Sequence, residues 1–81
     1  MARYYFNLHD GSDVLLDSEG CVLPDLAAAA DMAVQAAREM LSADVMEGRL
    51  QLAMRIDVAD EAGAVVHSLC FPDAIEITGL G

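Results

Sequence analysis

Eighty-one residues, 56% of them hydrophobic, make one domain with a single core, close to the lower size at which a core suffices without disulfides or metals. Fourteen acidic residues against four basic ones give a formal charge of −10 at pH 7, which repels phosphate backbones and excludes direct nucleic-acid binding as an expectation. No apolar run approaches the roughly 20 residues of a membrane span, so no membrane association is expected.

Arg3 to His9 alternates, with Tyr4, Phe6 and Leu8 on one face and Tyr5, Asn7 and His9 on the other, the period of a half-buried strand. Asp10-Gly11-Ser12-Asp13 is a turn by composition, and Val14-Leu15-Leu16-Asp17 returns as a short antiparallel second strand. Asp17-Ser18-Glu19-Gly20 makes a further turn, and Cys21-Val22-Leu23 leads into Pro24.

Asp25 to Gly48 is the longest periodic stretch and reads as one helix of six turns. Asp31, Gln35, Arg38, Glu39 and Ser42 share one arc, while Leu26, Ala29, Ala30, Ala33, Val34, Ala36, Ala37, Met40 and Leu41 fall opposite. Asp25 is a good N-cap, Pro24 stops backward extension, and Gly48 offers the left-handed residue that ends the helix. Asp44 falls towards the middle of the apolar arc, so either the last turn overhangs the core or the helix frays near Ser42. The apolar arc is wider than the roughly 100° stripe one sheet covers. Either alanines packed tightly on one sheet account for the surplus, or a second copy of the chain covers it. The candidate interface residues are Met32, Ala36 and Met40 on the helix and Tyr5 on the open face of the sheet.

After the helix, Leu52, Met54, Ile56 and Val58 alternate with Ala53, Arg55, Asp57 and Ala59, the clearest strand pattern in the chain. Asp60-Glu61-Ala62-Gly63 forms a hairpin loop, and Ala64 to Phe71 runs back as the next strand. Pro72-Asp73 ends it. Residues Asp73 to Ile77 are a short helical turn or a bent edge strand, and Thr78 to Gly81 a loose end. The expected fold is α+β in the order β-β-α-β-β, two hairpins forming one antiparallel sheet with the long helix on one face.

Three islands span most of the chain: Arg3-Tyr4-Tyr5-Phe6-Asn7-Leu8-His9-Asp10-Gly11; Asp17-Ser18-Glu19-Gly20 with Leu23-Pro24-Asp25-Leu26; and Phe71-Pro72-Asp73-Ala74-Ile75-Glu76-Ile77. In combination the chain resembles a family of short uncharacterised bacterial proteins, mainly alphaproteobacterial, catalogued as a domain of unknown function. The resemblance implies a compact β-β-α-β-β domain and transfers no activity and no catalytic residue.

His9 with Asp10, Asp13 and His67 is the most site-like group, yet its spacing meets no metal-site template, and a structural role is the expectation. Ser68 adjoins His67, but neighbours on a strand point to opposite faces and cannot form a nucleophile and base pair. No phosphate-cradling glycine loop or nucleophile elbow is present. Cys21 and Cys70 have neither CxxC spacing nor a His at ligand distance, which suits reduced thiols in a cytoplasm. No catalytic residue, cofactor or metal is therefore expected. The expected function is a non-enzymatic cytoplasmic interaction module, homodimeric or bound to another protein. The alternative is an acidic regulator, antitoxin-like or mimicking a nucleic acid, that occupies a basic surface.

Overall fold

The computed structural model describes residues 1–79. Its elements are β1 (Ala2–Asp10), β2 (Asp13–Leu15), β3 (Cys21–Leu23), α1 (Leu26–Met46), β4 (Met54–Ala59), β5 (Val65–Cys70) and one turn of 3-10 helix at Phe71–Ala74. The fold is α+β, with a five-stranded antiparallel sheet ordered β2-β1-β4-β5 and β3 also paired to β1.

The expected order lacked one strand. Cys21 to Leu23 is too short to show alternation, but it pairs with Ala2 to Tyr4, where β1 runs on past the last residue it shares with β4. β2 and β3 thus follow one another along the same edge of β1, β2 opposite Leu8 to Asp10 and β3 opposite Ala2 to Tyr4. Asp73 to Ile77 is not an edge strand. The turn comes earlier, at Phe71–Ala74, where Pro72 needs no N–H partner in the first turn of a helix. Of the expected loose end, Thr78 and Gly79 have no regular structure, and Leu80 and Gly81 lie outside the described residues.

The helix ends follow local chemistry. The Asp25 carboxylate accepts from the Ala28 N–H at 2.9 Å, satisfying one of the free donors of the first turn. Gly48, at φ 83°, follows the last turn and supplies the left-handed residue. The helix does not fray at Ser42. It continues to Met46 and overhangs the core, leaving Val45 and Met46 exposed.

Ala29, Ala33, Ala37 and Leu41 form one buried row along α1. Because alanine ends at Cβ, this row lets the helix backbone come close to the sheet, where Met54, Ile56, Val58, Leu69 and Phe71 complete the buried core. Tyr4, Phe6 and Leu8 pack at its margin from β1, as do Val34, Ala36 and Met40 from the helix. Much of the surplus apolar arc is thus absorbed by the chain's own core.

Candidate functional site

The helix covers one face of the sheet and leaves the other bare. On the bare face, strand register sets His9 beside Arg55, and Asp57 between Asn7 and Ser68. Asp57 is 8% exposed, the one buried charged residue among those described. An isolated carboxylate there would carry a large desolvation cost, so its environment must supply donors.

Three side chains do so. Ser68 Oγ donates to Asp57 Oδ1 at 2.7 Å, Arg55 Nε donates to Oδ1 at 2.9 Å and its NH2 group to Oδ2 at 3.2 Å. His9 Nε2 lies 3.0 Å from Oδ2. Burial alone pushes the Asp57 carboxyl up. The Ser68 hydroxyl, the Arg55 guanidinium and the charge at His9 together outweigh it, and Asp57 titrates below its ordinary value of 3.8.

The group contains a Ser, a His and an Asp, yet the connections are not those of a nucleophilic triad. Such a triad needs serine to donate to histidine and histidine to donate to aspartate. Here both Ser68 and His9 point at the same carboxylate. The nearest acceptor for the serine proton is a carboxylate already held below 3.8, which makes it a weak base. The arrangement locks three strands together across β1, β4 and β5.

A second carboxylate acts at the edge. Asp17 sits in the gap between β2 and β3 and accepts from the N–H groups of Phe6 (3.1 Å), Glu19 (3.2 Å) and Gly20 (3.1 Å). Its own N–H donates to Asn7 Oδ1 at 2.9 Å. Partial burial raises its pKa, but the three backbone donors more than offset that, and it too lies below 3.8. Gly20, at φ 69°, is packed so closely that an added Cβ would sit 2.9 Å from the Tyr4 carbonyl oxygen. Replacing Asp17 with Ala strands three donors and is expected to cost about 2 kcal/mol, read as a lower urea midpoint with unchanged slope. An unchanged midpoint would mean water replaces the carboxylate without loss.

A cleft of about 430 Å³ opens between the end of α1 and the start of β4. Met40, Leu50 and Met54 give it apolar walls, and Asp10, Asp44 and Arg49 also line it. Arg49 is held by Glu47 at 2.7 Å, with Asp44 at 3.8 Å.

The residues singled out from sequence do not converge. His9 joins Asp57, while Asp10 and Asp13 face each other across the first hairpin. His67 pairs with Val58 on the helix-covered side, the opposite face from Ser68. No three His, Cys, Asp or Glu side chains among the described residues are grouped to hold a metal ion. Met32, Ala36 and Met40 make a row along the helix, Met32 exposed and the other two half-buried against the core. Tyr5 lies on the bare sheet face, so one flat partner cannot touch all four. Sequence reasoning missed Asp57 and Asp17 as organising groups. Arg55 and Asp57, two apart on the polar side of a strand, were the available signal for the first.

An α+β domain with a five-stranded antiparallel sheet, one covering helix and a carboxylate-centred cluster on its bare face is the class this chain defines. Residues 3–72 match the family described as "Domain of unknown function (DUF6894)", and the chain belongs to that family. The first two sequence islands fall inside the matched region and the third begins at its end. No curated protein matches the chain. No solved structure matches it either. No helix among the described residues is long and apolar enough to cross a membrane.

Proposed function

We propose that this chain is a non-enzymatic protein-interaction module of the bacterial cytoplasm that works as a homodimer. One observation carries the proposal: among the described residues, apolar side chains stand exposed at both sides of the sheet. Val14, Leu15 and Leu16 on one side are 48%, 69% and 70% exposed, and Val65 and Val66 on the other 57% and 37%. Adjacent apolar side chains on an edge strand promote association with another chain. The two free thiols, Cys21 and Cys70, suit a reducing compartment, and the three sequence islands support a bacterial source. Light scattering after size exclusion, over a concentration series, is expected to give twice the chain mass, with a dimer at least as strong at high salt, where the repulsion between two acidic chains is screened. A monomer at every concentration would remove the homodimer.

The cleft favours a second reading, an acidic regulator bound to a basic partner. Its apolar walls with Asp10 and Asp44 suit the hydrocarbon stem and charged head of a lysine or arginine side chain, the cleft's own Arg49 being paired with Glu47 at 2.7 Å. Binding of a lysine-rich peptide that weakens steeply with salt and is lost in Asp44→Asn would support it, whereas salt-insensitive binding would count against it.

A further inference from the structure

Ala62 to Pro72 contains no Asp, Glu, Lys or Arg, the longest such run in a chain of charge −10. Its centre is β5, which pairs with β4 on one side and with no other described strand. Apart from the ladder to β4, the β5 main chain makes no hydrogen bond among the described residues to a turn, loop or side chain. Alternate N–H and C=O groups along the outer side of β5 therefore face away from the sheet.

Free edges are normally blunted by charge, proline, shortness or a covering segment. The other edge of this sheet is blunted in that way. β2 has three residues and opens on Asp13, and beyond it the Asp17 carboxylate takes up the Phe6 N–H. β5 has six residues and no charge or proline. Its one irregularity, the register shift opposite Val58 and Ala59, lies at the hairpin end.

Charge selects where two copies of this chain can meet. Two copies, each at −10, repel wherever acidic surfaces meet, and β5 lets the two backbones come together with no carboxylate on either strand. An antiparallel edge is also its own complement about a two-fold axis. We infer that β5 is the seam of a homodimer, in which antiparallel pairing of β5 with β5 of a second copy joins two sheets into one and sets both helices on the same face. The inference rests on the self-association proposed above and names its interface.

The test compares wild type, Val66→Asp, Val66→Lys and an equimolar mixture of the two variants by light scattering, with circular dichroism as the check on folding. Either variant puts a like charge on both strands of the seam, and the dimer dissociation constant is expected to rise about tenfold or more. The mixture places opposite charges there and is expected to restore the dimer. A folded Val66→Asp protein that dimerises as wild type does would overturn the β5 seam while leaving self-association in place. A wild-type monomer at all concentrations overturns both. Hydrogen exchange of the wild type gives a readout that needs no variant: the alternate, outward-facing amides between Val65 and Cys70 should gain protection as concentration rises, and constant protection of these amides in a dimeric sample overturns the seam.

Discussion

Asp57→Ala is expected to lower stability by about 3 kcal/mol, because it removes in one step the acceptor for Ser68, Arg55 and His9. Arg55 and His9 are partly exposed and can turn to water, which keeps the loss below that of a fully enclosed ion pair. Urea unfolding followed by circular dichroism measures it. Asp57→Asn, which keeps an acceptor and loses the charge, should fall between. A loss below about 0.5 kcal/mol for the Ala variant would mean that the carboxylate is not there to hold the strands, and would reopen the bare face as a binding or reacting site.

The pH dependence has a definite sign. Asp17 and Asp57 are both held below 3.8 in the folded chain, so the unfolded chain takes up protons first as pH falls. Their contribution is complete above 3.8 and is lost as pH drops through their folded-state values. Acid unfolding of wild type should therefore steepen below pH 3.8, and the Asp57→Ala variant should lose part of that steepness.

Phe71→Ala carries the largest expected effect. Phe71 is fully buried at the junction of β5 and the 3-10 turn and is among the two largest side chains wholly enclosed. Truncation removes a ring from the contact between helix and sheet and leaves a cavity, at a cost of about 4 kcal/mol. A chain of this length has roughly 4 to 12 kcal/mol in total, so the variant should lose about a third or more of its stability and melt well below wild type. Thermal melting tests this directly. A melting temperature within a few degrees of wild type would show that α1 closes onto β4 without the ring.

The Arg38 side chain has a connected role. Its Nε donates to the Ala74 carbonyl at 2.6 Å, fastening the 3-10 turn to the polar margin of the helix. Phe71 and Ala74, both buried, anchor the same turn from inside. The Phe71-Pro72-Asp73-Ala74 sequence thus closes the core after the last strand, with Arg38 tying the turn down from outside.

Features set by neighbours in sequence were legible from the start. Asp25 caps α1 and Gly48 follows its end because both act within one turn of their own position. The alternation around Met54 to Val58 and the turn at Asp60 to Gly63 likewise needed no knowledge of the rest of the chain. β3, the Asp17 plug and the Asp57 cluster were decided only by tertiary structure. Cys21 to Leu23 is a strand because β1 extends beyond β4 and leaves an edge to pair with. Asp57 meets His9 and Ser68 because two separate strand registers bring residues far apart in sequence into line, and register depends on how whole faces bury together. Caps and turns are local choices of the backbone, whereas the bare-face cluster and the open β5 edge exist only once the sheet has formed.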